Sequence, residues 1–507
     1  MMSRSNMTKI SLFKLAALPL MMGLSSSAIA EQENKVKPEL TPCYAKGLDD
    51  RLLCGSIKQP VSDNPADGEI DIHFAIIPAI KPSKPDEAVL GFAGGPGQSA
   101  MDLAVIFDRN LRYARESRDI LLVDQRGTGK SNKLQCDGAD LISQFEFNDL
   151  TEDMVAFGKE DTQKCKDELN TDLSNYSTVA AAKDFEAVKQ ALGYKGLHLY
   201  GVSYGTRIAQ EYTRQFPGSV ITSTLDGVVP MQQSLTAIGK AIDDSMNALL
   251  DRCEADANCS ENYPNLKANF YKLLDQLDEQ AIETTVRHPR THKKINLVLT
   301  KMKVFSTVRM ALYSHTTRAL VPLAISEALN GDYSPIVGLL SSTDMMDSMA
   351  MGMHSAIVCS EDWPSLTDAS RADHGQAYMG RMMIEGFDLA CPIWGAKQVD
   401  KSFYEPVKTD IPTLLLSGGL DPATPASWAE MAMVEMSNAK HLVAESATHG
   451  VVSQTCAASI VGKFIDSNGT EELDATCLEK DNRKQFFMNL NGVALHADSD
   501  SESSEKE

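Results

Sequence analysis

The residues best placed to do chemistry lie in the stretch LHLYGVSYGTRIAQ, residues 197–210, which contains Gly201-Val202-Ser203-Tyr204-Gly205. A short apolar run precedes this G-x-S-x-G pattern, and Ile208, Ala209 and Tyr212 follow it at helical spacing. Strand, sharp turn around a serine, then helix is the setting that lifts a nucleophilic hydroxyl clear of the backbone. Glycines two residues to either side give the strained turn the room it needs. A serine hydroxyl attacks only once a base takes its proton, and the base, normally histidine, must be held in one tautomer by a carboxylate. Asp421 ends an apolar run in Ser417-Gly418-Gly419-Leu420-Asp421-Pro422. His449 follows the last expected strand, in Glu445-Ser446-Ala447-Thr448-His449-Gly450. Of ten histidines, His449 alone occupies a loop just beyond the final strand and downstream of Asp421. The blander readings are a helix-capping Asp421 and a surface His449. A tetrahedral intermediate also needs two preorganised N–H donors. Tyr204, the residue after the nucleophile, should give one, and Gly95, in Gly94-Gly95-Pro96-Gly97, the other.

The elements that must position these groups read as alternating strands and helices. Strands are expected over 71–78, 88–92 and 119–123, a helix over 180–192 closed by Gly193, then the nucleophile strand, its helix to Phe216 and a strand over 220–225. Such alternation implies a mostly parallel, doubly wound sheet. The rhythm breaks after Pro230 and returns at 413–417 and 441–444. Residues 231–405 are therefore expected to form a large, mainly helical cap inserted between two parts of one core, 31–230 and 406–496. The tail 497–507, acidic and serine-rich, is expected to be disordered.

Residues 1–30 have basic Arg4, Lys9 and Lys14, an apolar stretch, and Ala28-Ile29-Ala30 before a polar run. That is the form of a secretory signal peptide. The apolar run is too short to span a bilayer, which takes about 20 residues, so no stable membrane insertion is expected after cleavage. The rest is strongly acidic: the chain of 507 residues carries a net charge of −21, and loss of the leader removes three positive charges more. Such a surface repels phosphate backbones and speaks against nucleic acid as a partner. Ten cysteines, an even number, suit an oxidising compartment. Pairing each with its neighbour in sequence (Cys43–Cys54, Cys136–Cys165, Cys253–Cys259, Cys359–Cys391, Cys456–Cys477) closes modest local loops and is the expected arrangement. No C-x-x-C pair suggests zinc.

Four blocks together resemble the α/β-hydrolase serine exopeptidases, the proline iminopeptidases and the larger secreted tripeptidyl-aminopeptidase-like proteins. They are GGPG at Gly94, DQRGTGKS at Asp124, GVSYGTR at Gly201 and SGGLDPATP at Ser417. The THG at Thr448 and the late Cys456 and Cys477 are similar to the second group, which has a distinct C-terminal segment. The resemblance spans roughly residues 40–480. It implies an α/β-hydrolase fold and cleavage of short peptides from a free N-terminus. Proline iminopeptidases usually have histidine before GGPG. Here Ala93 stands there, which touches substrate detail rather than hydrolysis. The resemblance also implies that cap carboxylates hold the substrate ammonium, because an unpaired buried charge costs several kcal/mol. In Val358-Cys359-Ser360-Glu361-Asp362, Glu361 is the first candidate and Asp362 the second. A helix cap or solvated acids beside a disulfide would account for the same residues.

Two other signals are set aside. Gly129-Lys130-Ser131 has Asp124 where a phosphate-binding loop needs glycine, and a carboxylate repels phosphate. Asp124 and Arg126 are better read as bracing the loops beneath the site. The thioether-rich run Met345, Met346, Met349, Met351, Met353 and His354 suits an adaptable apolar lining better than a copper site. The sequence therefore describes an exported bacterial serine exopeptidase, periplasmic or secreted. Ser203 is its nucleophile, His449 its base and Asp421 the orienting acid. The reading calls for no metal and no organic cofactor. An esterase or amidase with the same triad, or a non-catalytic binding protein on the same scaffold, are the alternatives.

Overall fold

The structure, a computed structural model, describes residues 37–493 apart from 137–140, 342–348, 472 and 482. The signal-peptide segment 1–30, the acidic tail 497–507 and Met345 and Met346 lie outside the described residues.

Nine strands form one sheet. In chain order they begin with β1 (Thr41–Cys43), β2 (Leu52–Pro60), β3 (Glu69–Ile77), β4 (Glu87–Phe92), β5 (Asp119–Val123), β6 (Gly196–Val202) and β7 (Val220–Asp226). A separate hairpin of β8 (Ile282–Arg287) and β9 (Lys294–Leu299) follows, and the sheet closes with β10 (Thr413–Gly418) and β11 (Ala439–Ala444). The order across the sheet is β1-β2-β3-β5-β4-β6-β7-β10-β11. The first three pairings are antiparallel and the remaining five parallel. This is an α/β-hydrolase fold with a mostly parallel, doubly wound sheet. Parallel strands need both faces covered, and β4, β5 and β10 read accordingly as short apolar runs. On one face Phe92, Leu199 and Leu415 pack with Phe185, Val188, Ile208 and Tyr212 of the helices Thr178–Leu192 and Tyr204–Gln215. On the other, Val89, Leu122 and Leu416 pack with Phe107, Val461 and Phe464 of the helices Ala104–Asn110 and Ala457–Ser467.

Between β7 and β10 the chain is mainly helical, with the long helices Ile238–Ala255, Leu266–Glu279, His315–Leu329 and Tyr378–Trp394. These have their own apolar centre, built on Leu250, Phe270, Leu277, Leu299, Val304 and Val321. The β8–β9 hairpin lies in this region and departs from the helical expectation. Its two runs of about six residues alternate between exposed and buried positions, a period-2 signal diluted in sequence by the surrounding lysines and arginines. β1 and β2 were also not expected. They join the sheet as successive antiparallel hairpins, with β2 pairing β3 across the turn after Pro60, but Gly55 and Pro60 weaken the strand pattern of β2. The segment after Cys477 crosses to the helical region, where Phe486 and Met488 join that apolar centre and the Tyr263 hydroxyl donates to the Phe487 carbonyl at 2.8 Å.

All ten cysteines pair with their sequence neighbours, as expected. Among the described residues no helix is long and apolar enough to cross a membrane.

Candidate active site

Ser203 sits between the end of β6 and the first residue of the helix Tyr204–Gln215, with φ 57° and ψ −127°. That conformation is costly for a residue with a Cβ, on the order of 1–3 kcal/mol, and the neighbours hold it there. The turn closes only because Gly201 and Gly205 lack side chains: a Cβ on Gly201 would lie 2.4 Å from the Gly205 carbonyl oxygen, and one on Gly205 would lie 2.3 Å from that of Phe92. The Thr206 N–H and Oγ1 both donate to the Ser203 carbonyl, at 2.8 and 2.6 Å.

Tyr204 opens the helix, so its N–H has no acceptor within it. Its hydroxyl is locked by Thr178 Oγ1 at 2.6 Å and Gln125 Nε2 at 3.2 Å. The glycine-rich turn lies over the serine: a Cβ on Gly94 would come within 3.1 Å of Ser203 Cβ. Among the described residues the Gly95 N–H donates to no protein group. Beneath this turn, Asp124 accepts from Ser99 Oγ at 2.6 Å, Met101 N–H at 3.1 Å and Lys130 N–H at 2.9 Å. Arg126 grips buried Asp184 through two bonds of 2.7 Å. Both residues brace loops.

His449 and Asp421 leave the ends of adjacent strands, β11 and β10, and meet above the sheet. The two Asp421 carboxylate oxygens lie 2.9 and 3.0 Å from His449 Nδ1. The same carboxylate accepts the Ala423 and Thr424 N–H groups at 2.7 and 2.9 Å and Thr424 Oγ1 at 2.8 Å. Burial raises its pKa, but the His449 charge and these hydrogen bonds outweigh that and leave it below the ordinary value. For His449 the balance runs the other way in sign. Burial lowers its pKa, while Asp421 and, further off, Asp226 raise it, for a net rise above 6.5. The Tyr313 ring packs edge-on against the imidazole at 5.2 Å. No hydrogen bond joins Ser203 Oγ to His449 in this conformation; such links often tighten only with substrate bound.

Glu361 and Asp362 lie at the junction of the helical region and the core, and neither carboxylate faces open solvent. Each residue is 1% exposed. Glu361 accepts the Thr178 N–H and Oγ1 at 2.7 and 2.9 Å and lies 4.0 Å from Arg207. Asp362 takes Arg207 Nη1 at 3.2 Å and the Leu235 N–H at 2.9 Å. Burial pushes Glu361 up to about 8, against the pull of Arg207 and Thr178. Arg207 is the last residue of the GVSYGTR block, so this cluster ties the helix Tyr204–Gln215 to the region above it.

Residues that the sequence reading left without a role surround the site: Thr424, Tyr313, Asp226 and Arg207. Thr424 stands three residues after Asp421, the spacing of a capping hydroxyl, which was a usable signal. Tyr313 and Asp226 come from distant parts of the chain and had none. His288, in the β8–β9 hairpin away from the triad residues, is 7% exposed and its Nδ1 accepts the Arg290 N–H. Among the described residues no group of histidine, cysteine and acidic side chains is arranged to hold a metal.

Comparison with known proteins agrees with this architecture. Residues 87–242 match the alpha/beta hydrolase fold family, and residues 376–477 match the TAP-like protein family. The serine protease Hip1 of Mycobacterium tuberculosis is 25% identical over 506 residues, covering 91% of this chain and 96% of Hip1. A tripeptidyl aminopeptidase of Streptomyces coelicolor is 24% identical, covering 76% of this chain and 75% of that protein. A crystal structure of a proline iminopeptidase from Mycobacterium smegmatis aligns with a TM-score of 0.33 and 15% identity, over 82% of this chain and 98% of that one. The elbow, the strand order and the two family matches give the chain an α/β-hydrolase fold, and its relatives Hip1 and the tripeptidyl aminopeptidase make it similar to the serine peptidases of that fold.

Proposed function

We propose that this serine peptidase is an exported aminopeptidase that removes residues from the free N-terminus of short peptides through Ser203, His449 and Asp421. The observation that carries the reading is the strained Ser203 elbow on the same rim as the His449–Asp421 pair. In this mechanism Ser203 Oγ attacks the scissile carbonyl as His449 Nε2 takes its proton. The Tyr204 and Gly95 N–H groups receive the oxyanion. His449 then returns the proton to the leaving amine, and the C–N bond breaks to give the acyl-enzyme. Water, deprotonated by His449, attacks the acyl-enzyme carbonyl, the bond to Ser203 Oγ breaks to free the N-terminal fragment as its acid, and His449 returns the proton to Ser203 Oγ. Asp421 fixes the imidazole tautomer and stabilises its charged form. The helical region, residues 231–405, serves as a cap that excludes folded proteins. The relatives' names, a serine protease and a tripeptidyl aminopeptidase, support peptide substrates. Five disulfides and the basic, apolar leader support export. Digestion of a defined peptide library, with products identified by mass spectrometry, tests the reading. Release of N-terminal fragments from free but not acetylated peptides is expected, and internal cleavage of blocked peptides would refute it.

The substrate ammonium is held, on this reading, by Glu361 and secondarily Asp362. Two carboxylates share one guanidinium, Arg207, so one negative charge is left for a cation, and without one Glu361 is driven toward its protonated form. Enclosure of both carboxylates means that the cap must part there to admit substrate. Glu361→Gln should raise KM for a free-amine peptide by tenfold or more, on the order of 1.4 kcal/mol, and leave a blocked ester substrate within about twofold. Equal losses on both substrates would show instead that Glu361 only clamps the Thr178 and Arg207 helices.

A further inference from the structure

The mechanism leaves one buried carboxylate beside the triad unused. Asp226 ends β7, between the strands that carry the nucleophile and the acid, in register with Val202 on one side and Leu416 on the other. It is fully buried. Its main-chain carbonyl accepts the Ser203 N–H at 3.0 Å. Its side chain reaches the opposite loop: Oδ1 accepts the Val451 N–H at 2.7 Å and Oδ2 accepts the Val452 N–H at 3.1 Å. These are the second and third residues after His449. Oδ2 also accepts the Tyr200 hydroxyl at 3.0 Å, and that hydroxyl in turn accepts Asn110 Nδ2 at 3.1 Å. Gly227 follows with φ +72°; a Cβ there would lie 3.1 Å from His449 Cε1 and 3.0 Å from Thr424 Oγ1.

We propose that Asp226 is a positioning residue that sets nucleophile and base relative to each other, its carbonyl holding Ser203 and its carboxylate holding the loop that carries His449, with Gly227 leaving the space the imidazole occupies. This rests on the triad reading above and deepens it. The chemistry asks for a carboxylate here. Three donors converge on two oxygens, and an amide in its place would turn an NH₂ toward an N–H. The charge matters as well. Burial raises the Asp226 pKa to about 6 against the pull of the Val452 and Val451 N–H groups, Tyr200 and His449, and its negative charge in turn favours the charged imidazole. Arrangements of this kind are what hold reacting atoms in attack geometry, where an ångström of drift costs on the order of 10²-fold in rate.

The test measures kcat, KM and the pH profile of kcat/KM for Asp226→Asn, Gly227→Ala and Tyr200→Phe on an aminoacyl arylamide, with melting temperature as a fold check and Ser203→Ala as reference. Asp226→Asn should lower kcat on the order of 10²-fold with KM within about twofold, and should move the acid limb to lower pH because a negative charge near His449 is gone. Gly227→Ala should lower kcat without moving that limb. Should Asp226→Asn fail to fold, Tyr200→Phe decides: it removes one hydrogen bond to the carboxylate and should give a smaller loss of kcat at unchanged KM. Wild-type kcat and an unmoved acid limb in a folded Asp226→Asn protein, or an unchanged kcat in Tyr200→Phe where Asp226→Asn does not fold, would overturn the proposal. If Ser203→Ala retained activity, the triad reading itself would fall, whatever Asp226 does.

Discussion

Replacing Ser203 by alanine is expected to lower kcat by on the order of 10⁴–10⁶-fold, with KM changed little and the fold retained. The size follows from what the hydroxyl does. Removing it takes away the bond that becomes the acyl-enzyme, so His449 and Asp421 have nothing to activate except water. The residual rate comes from binding and from the Gly95 and Tyr204 N–H groups alone, roughly 10³–10⁴ above the uncatalysed reaction. The substitution is structurally mild. The strain at φ 57° is imposed by the Gly201, Gly205 and Thr206 contacts rather than by the hydroxyl, and alanine has a similar backbone preference. Steady-state kinetics on an aminoacyl arylamide with a thermal melt in parallel checks it. A tenfold loss or less would mean that another group attacks the carbonyl.

The second large effect is expected at Asp421. Asp421→Asn should lower kcat by about 10⁴-fold, since an amide NH₂ facing His449 Nδ1 favours the tautomer with its proton on Nε2, where the base must be free. The pH profile should carry a second signature. His449 acts as a base when neutral, and its pKa lies above 6.5. In the wild-type protein kcat/KM should therefore fall as pH drops through a value above 6.5. Loss of the Asp421 charge should move that limb to lower pH while the plateau collapses. The stability sign is opposite. A histidine whose folded pKa is raised stabilises the fold fully below its unfolded pKa, and that contribution is lost as pH rises through the folded value. An acid limb unmoved in Asp421→Asn would show that the carboxylate does not reach the imidazole in the working enzyme.

Much of the core was legible because its signals are local. The runs at β4, β5 and β10 are buried on both faces and read as short hydrophobic segments, β6 and β7 read as strands from their place around the elbow, and the break in rhythm after Pro230 marks where helices take over. The elbow glycines and the order of Ser203, Asp421 and His449 carry their own chemistry. What stayed hidden depends on contacts between distant segments. Nothing in the sequence around Asp226 says that its carboxylate meets Val451, 225 positions further on. β2 joins the sheet by a local hairpin with β3, but Gly55 and Pro60 break up its strand pattern. The β8–β9 hairpin sits in a charged, helix-rich stretch where a six-residue alternation is easily lost. The family resemblance points to Glu361 and Asp362 as charges for the substrate ammonium to meet. The structure finds them enclosed with Arg207 and Thr178, a partnership visible only once the Thr178–Leu192 and Tyr204–Gln215 helices are side by side.

The central claim is that Ser203 becomes covalently acylated with His449 as its base. Labelling with a fluorophosphonate, followed by peptide mapping in a mass spectrometer, tests it most directly. The account predicts one adduct per chain, on Ser203, slowed by a competing free-amine peptide and slowed at least 10³-fold in His449→Ala. Peptide cleavage that continues undiminished with Ser203 fully modified, or an adduct formed at the wild-type rate in folded His449→Ala, would contradict it.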